Sequence, residues 1–238
     1  MNAEATLAVT VMPPGEGIRV ELVEEERLSG SQRDLSRPAR YRAIVNCGKP
    51  LPDMDVEIRG EDGKPLARDH QIGKVWCRGP SVMHSYFRNE EATAECLVGG
   101  WLDTGDMGYT AEGYLFIVGR AKDMIIINGK NHWPQDIEWA VEQLPGFNHG
   151  DIAAFAIEME GGEEAPAVLV HCRVSDPEER VRLRDTIRDK VRSITGMNCV
   201  VELVPPRTLP RTSSGKLSRA KAKRLYLSGE IEPFELAA

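Results

Sequence analysis

The chain has 238 residues, a length that suits one or two domains of about 100–200 residues each. Its 41 % apolar and 28 % charged residues suffice for a folded core, and its net charge of −7 argues against a general nucleic-acid binder, whose surface would be basic. No apolar run approaches the roughly 20 residues of a membrane-spanning helix, so no membrane span is expected. The start MNAEATLAVT lacks a signal peptide's basic and apolar regions. Five single cysteines without a C-x-x-C pair argue against zinc and for reduced thiols in a cytoplasmic location.

Residues 11–42 stand apart. Pro13, Pro14, Gly15 and Gly17, the acidic run Glu24, Glu25 and Glu26, and the polar stretch SGSQRDLSRPAR read as a long surface insertion with short strands near 18–23. From about 45 to 119 the pattern is mainly β. DVEIR (55–59) and KVWCR (74–78) alternate apolar and polar residues, Asp62-Gly63 marks a turn, and YLFIV (114–118) follows the turn Glu112-Gly113. WLDTGD (101–106) predicts a Thr-Gly-Asp turn that leaves the Asp106 carboxylate free at a strand edge. After Arg120 comes a strand at 124–127, ended by the hairpin signal Asn128-Gly129. Pro134 then opens a helix with Ile137, Ala140, Val141 and Leu144 on one stripe, stopped by Pro145-Gly146. Strands follow at 152–159 and 167–174. Asp176-Pro177 starts a helix that buries Leu183, Ile187, Val191 and Ile194 and ends at Gly196, before a strand at 200–204. That order predicts a small α+β domain with helices on one face of a sheet, beginning near 120–123.

Three segments carry candidate chemistry. A single carboxylate such as Asp106 can accept two hydrogen bonds from the cis-diol of a ribose; the alternative is a residue that merely closes a turn. Arg120, in GRAKD (119–123), suits phosphate or ribose oxygens; its alternative is a surface ion pair with Asp123 or Asp106. Residues 207–224 hold seven basic side chains and no acidic one, and TSSG (212–215) would present Lys216 at the tip of a mobile loop, where its charge can meet a phosphate. A P-loop is rejected, because Pro210 breaks the glycine pattern and Leu217 follows the lysine. The alternative there is a solvated basic tail helix.

Taken in order, these segments resemble the adenylate-forming superfamily of acyl-CoA ligases, fatty acyl-AMP ligases and peptide-synthetase adenylation domains. WLDTGD is similar to the family's ribose motif, residues 119–123 with 125–138 to its hinge motif, and 210–216 to the loop with the catalytic lysine. Ala3-Glu4-Ala5-Thr6 is similar to the end of the Tyr-Gly-x-Thr/Ala-Glu motif, whose glutamate binds Mg²⁺; the Tyr-Gly pair is absent. The family's phosphate loop and most of its acyl pocket lie upstream of this point, so the resemblance is to the carboxyl-terminal part, and the chain alone is expected to be inactive. NGKNHWPQDIE (128–138), AEATLAVT, PRTSSGK and the insertion resemble the fatty acyl-AMP ligases most.

The resemblance implies an α+β fold. Residues 1–119 would be the β-rich, distorted barrel-like end of the large ATP- and acyl-binding domain, carrying the insertion at 11–42. Residues 120–122 would be a hinge, and 123–238 a mobile carboxyl-terminal domain. It implies activation of a fatty acid, or another carboxylic acid, by ATP and Mg²⁺ to acyl-adenylate, with transfer to an acyl carrier protein. Lys216 would be catalytic, Asp106 and Arg120 would hold ATP or AMP, Lys122 would be the hinge and Glu4 the metal ligand. His132 and Trp133 are expected to pack rather than catalyse. The rival readings are an acyl-CoA ligase fragment and a non-catalytic carrier-protein interaction module.

Overall fold

In the computed structural model, residues 3–30, 39–127, 130–159, 162 and 164–235 are described. They form two compact units, Met1–Lys122 and Asp123–Ala238.

The first unit runs β1 (Thr10–Val11), β2 (Val20–Glu24), α1 (Glu25–Leu28), β3 (Tyr41–Val45), β4 (Lys49–Pro50), β5 (Asp55–Arg59), β6 (Gly73–Arg78), α2 (Glu90–Cys96), β7 (Leu97–Val98), β8 (Trp101–Ala111) and β9 (Tyr114–Arg120). Its main sheet has the order β5-β6-β8-β7, with β9 also paired to β8. β8 is the hub, because it pairs with β6, β7 and β9 in turn. Register shifts at Lys74/Trp76 and at Met107/Gly108 add twist and bend, and the sheet curls into the barrel-like form expected. Ile58, Val75 and Leu115 pack together inside it.

The insertion is folded where it is described. β2 and β3 form an antiparallel ribbon. Tyr109 on β8 donates its hydroxyl to Glu21 Oε2 at 3.0 Å, and Tyr114 on β9 donates to Glu16. Residues 31–38, which belong to the expected insertion, lie outside the described residues. α2 went unread in the sequence because none of its residues is buried, so it has no apolar stripe. Its one signal is Asn89, whose side chain accepts the Ala92 N–H at 3.0 Å as an N-cap.

The second unit runs β10 (Ile125–Ile127), β11 (Lys130–His132), α3 (Pro134–Glu142), β12 (Ile152–Glu158), β13 (Glu164–His171), α4 (Pro177–Thr195), β14 (Val200–Val204) and α5 (Arg219–Leu227). The Asn128-Gly129 turn is outside the described residues, but Ile127 and Lys130 on either side of it pair. α4 starts and stops as its sequence dictates: Asp176 caps it by accepting the Glu178 N–H at 3.0 Å, and Gly196 closes it at φ +73°. It crosses between β13 and β14, which are therefore parallel, while β12 and β13 are antiparallel.

The expectation of helices on one face needs correction. Alternate residues of the sheet point to opposite faces. Ala154, Val168, Val170 and Leu203 share a core with Ile137 and Val141 of α3 and Ile187 and Val191 of α4. Ala153, Phe155 and Leu169 on the other face pack with Ala222 of α5. The basic tail is thus no solvated helix; its apolar positions close the second face. Trp133 is buried at the start of α3. No described helix is long and apolar enough to cross a membrane.

Ile187 has no solvent exposure, so Ile187→Ala should lower the unfolding free energy by about 2–5 kcal/mol through lost burial and a cavity. Urea unfolding followed by tryptophan fluorescence would check this, and a loss below about 1 kcal/mol would contradict the packing of α4 on the sheet.

Candidate functional site

Strands β8 and β9 bring two of the expected site residues together. Asp106 and Arg120 are direct cross-strand partners. Arg120 Nε lies 3.0 Å from Asp106 Oδ1, and Arg120 Nη2 donates to the Thr104 carbonyl at 2.8 Å. The buried Thr104 hydroxyl donates to the Val75 carbonyl at 2.8 Å and accepts the Asp106 N–H at 3.2 Å. The cluster therefore has a rigid floor.

The expected Thr-Gly-Asp turn is not formed. Residues 101–106 lie inside the 11-residue strand β8. Gly105, at φ +72°, supplies the left-handed backbone that a turn would use, but here it kinks the strand without reversing it, and a Cβ on it would sit 3.4 Å from the Arg120 guanidinium. Asp106 is consequently ion-paired rather than free. The pair matches one of the two bland alternatives for Arg120. Burial pushes the Asp106 carboxyl above its ordinary range, and the Arg120 charge opposes that push. A carboxylate and a guanidinium side by side offer acceptors and donors together, which suits a diol flanked by an anion.

Glu4 lies in a 3₁₀ turn, Ala3–Ala5. Its Oε1 accepts the Tyr86 hydroxyl at 2.8 Å, which pushes the tyrosine up to about 12. Its backbone carbonyl accepts the Met83 N–H at 2.7 Å. Among the described residues no group of three or more His, Cys, Asp or Glu could hold a metal ion. Mg²⁺ keeps waters and substrate phosphates and needs only one or two protein carboxylates. Glu4 fits as one such oxygen ligand. Lys122 is exposed in the 3₁₀ turn Ala121–Asp123, where the two units meet in sequence.

Lys216 belongs to the second unit, in a hairpin closed by hydrogen bonds. Arg211 and Leu217 form a bridge, and Ser218 N–H donates to the Pro210 carbonyl at 3.0 Å. Thr212 N–H donates to the Lys216 carbonyl at 2.8 Å, and Gly215 N–H to the Thr212 carbonyl at 2.9 Å. The Lys216 N–H is taken by Thr212 Oγ1 at 3.1 Å. These backbone N–H groups are therefore not open to a phosphate, while the Lys216 side chain is exposed at the tip.

One anchor of this hairpin was missed in the sequence. Arg219, three residues past Lys216, grips both oxygens of Glu138 on α3, with Nε to Oε1 at 2.7 Å and Nη2 to Oε2 at 2.6 Å. Its Nη1 reaches Asp123 Oδ2 at 3.0 Å, and Glu138 Oε1 also accepts the Ala154 N–H at 3.0 Å. Burial raises the Glu138 carboxyl, and Arg219 holds it down. In the sequence Arg219 is only one of seven basic tail residues; a bidentate partner 81 positions away leaves no mark in local sequence.

No family model matches the chain. It is 45 % identical over 232 residues to a Caulobacter vibrioides protein named for the acyl-CoA synthetases, covering 95 % of this chain and 40 % of that protein. It is 32 % identical to the medium-chain-fatty-acid–[acyl-carrier-protein] ligase JamA of Moorena producens, covering 98 % of this chain and 42 % of JamA. A solved structure from a study of fatty acyl-adenylate ligases of E. coli and L. pneumophila superposes with a TM-score of 0.84 at 39 % identity, covering 96 % of this chain and 41 % of that one. The chain is thus similar to members of the adenylate-forming superfamily. Within it, the chain is similar to the carboxyl-terminal part of acyl-CoA synthetases and fatty acyl-AMP ligases, and it spans about two fifths of the length of these relatives.

The Arg219 grip can be tested by itself. Arg219→Ala leaves Glu138, which is only 7 % exposed, without its counter-charge and should cost about 3–5 kcal/mol in urea unfolding. Arg219→Lys keeps the charge but not the two-pronged geometry and should restore only part of the loss. A change under about 1 kcal/mol for Arg219→Ala would show the pair to be incidental.

Proposed function

We propose that this chain forms the carboxyl-terminal part of a fatty acyl-AMP ligase. The observation that carries the reading is the hairpin that displays Lys216: the side chain is exposed at its tip, while the backbone behind it is bonded into the second unit. A cation held this way suits a step in which two anions must be brought together.

In that step a carboxylate oxygen attacks the α-phosphorus of ATP. The bond from the α-phosphorus to the bridging oxygen breaks, and pyrophosphate leaves with the electron pair. Acyl-adenylate is the product. Negative charge crowds the reacting centre, so Lys216 would contact the acyl oxygen and the α-phosphate together, holding them in line and offsetting their repulsion. Asp106 would accept the two ribose hydroxyls. Arg120, kept in place by the Thr104 carbonyl, would turn from Asp106 toward the ribose and phosphate side. Glu4 would hold Mg²⁺, which when bound supplies charge neutralisation at the phosphates. Lys122 would be the position about which the second unit turns between steps. Of the expected substrates, a fatty acid is favoured by JamA and by the fatty acyl-adenylate ligases, and delivery to a carrier protein by JamA's name.

A second reading, an acyl-CoA ligase, is favoured by the Caulobacter relative. The insertion argues for acyl-adenylate as the product. Its described part is bonded to β8 and β9 through Tyr109 and Tyr114 rather than loose, and a folded insertion can restrict the rotation that a thioester step needs.

Both points can be tested in a chimera that joins the amino-terminal three fifths of the Caulobacter relative to this chain. Lys216→Ala should slow pyrophosphate release from ATP and a fatty acid by roughly a hundredfold or more, about 3 kcal/mol, with unfolding free energy changed by no more than about 0.5 kcal/mol. Unchanged acyl-adenylate formation would remove Lys216 from the mechanism. With CoA supplied, the chimera should accumulate acyl-adenylate; efficient acyl-CoA formation would favour the second reading.

A further inference from the structure

Leu209 opens the segment that leads to Lys216, and its backbone has an unusual partner. Its N–H points at Nε2 of the buried His171, at 3.0 Å. An amide N–H can only donate, so Nε2 is the acceptor and the ring proton sits on Nδ1. Nδ1 lies 3.4 Å from Asp151 Oδ1. Arg173 grips the same carboxylate with Nη1 to Oδ2 at 2.7 Å and Nη2 to Oδ1 at 3.1 Å, and the Asn148 N–H donates to Oδ2 at 2.9 Å. Burial works against the Asp151 charge, but these donors outweigh it and hold the carboxyl down to about 2.

The same loop meets the hairpin a second time. Arg211 donates from Nη2 to the Gly150 carbonyl and from Nη1 to the Gly215 carbonyl, each at 3.0 Å. Gly150 sits at φ +81°, which favours glycine, and a Cβ there would lie 3.0 Å from that guanidinium and crowd it. Asp151, His171, Arg173 and residues 206–211 line an open cleft of about 630 Å³ at the base of the hairpin.

We infer that His171 is a positioning residue for Lys216: by accepting the Leu209 N–H it fixes the base of the hairpin, and Asp151 selects the tautomer able to accept. The inference rests on the reading of Lys216 as the cation of the adenylation step. It also makes the anchor pH-sensitive. A second proton on the ring would sit on Nε2 and put two N–H groups face to face. Burial and the charges of Arg173 and Arg211 resist that proton, Asp151 favours it, and Arg207 on the cleft rim adds a further positive charge. The folded value lies below the ordinary 6.5, so the anchor holds at neutral pH and is lost as the pH falls through that lowered value.

The experiment is amide hydrogen exchange and histidine ¹⁵N NMR on the full 238-residue chain. Wild type should show the Nδ1–H tautomer at His171, slow exchange at Leu209, Gly215 and Lys216, and loss of that protection on acidification. His171→Leu should speed exchange at these three amides by about tenfold or more while Val168 and Val170 stay protected. His171→Gln offers a side-chain oxygen in place of Nε2, so it should keep the protection and make it flat with pH. Wild-type protection at Leu209 in His171→Leu would overturn the inference. Should His171→Leu also expose the sheet, the pH series of His171→Gln decides: a flat profile supports the inference and a wild-type profile overturns it. Exchange does not depend on chemistry, so a loosened hairpin in His171→Leu beside an unchanged rate in the Lys216→Ala chimera would leave the positioning intact and reject the reading of Lys216.

Discussion

One buried carboxylate, that of Glu138, is the point at which several elements of the second unit meet. Alone in that position it would be strongly disfavoured, because burial penalises the ionised form. Arg219 answers it with two parallel hydrogen bonds, and Ala154 adds a backbone donor. Such a pair supplies little net stability, since both charges must be desolvated. What it does is fix geometry: α3, the edge strand β12, the 3₁₀ turn at Asp123 and the start of α5 are tied at one point. α5 then lays Ala222 against the sheet, and the chain just before it is the hairpin of Lys216.

That hairpin is held at both ends by charged groups that are themselves satisfied. Arg219 sits on its carboxyl side, and the chain His171–Asp151–Arg173 reaches Leu209 on its amino side. Between them the turn is closed by hydrogen bonds of the Thr212, Gly215 and Lys216 N–H groups. A lysine on a hairpin bonded in this way can be delivered by moving the whole unit rather than by folding a loop around substrate. That is consistent with a reading in which the exposed turn at Lys122 is the place where the backbone changes direction between steps.

Much of the fold was legible because its signals are local. The alternation of DVEIR gave β5 (Asp55–Arg59) to the residue, and Asp176-Pro177 with Gly196 gave both ends of α4. α2 was illegible because it buries nothing, and the two-faced sheet was misjudged because α5 reads as a basic run until Ala222 is seen inside the core. The site was legible only as motifs. Asp106 and Arg120 were chosen separately, and it took the β8–β9 register to make them partners. Thr-Gly-Asp reads as a turn from its residue types, and Gly105 does take a turn's φ, yet the ladder on both sides keeps the strand running. His171 had no sequence signal at all: its partners lie 20 and 38 positions away and meet it through the pairing of β12 with β13 and the return of the chain after β14.

The most direct measurement is a crystal structure of the chimera with a non-hydrolysable acyl-adenylate analogue. The account predicts Lys216 Nζ within hydrogen-bond distance of both the acyl carbonyl oxygen and the phosphate, and the Asp106 carboxylate on both ribose hydroxyls. An analogue whose ribose is held elsewhere, with Asp106 still bound to Arg120 and Lys216 in solvent, would contradict it.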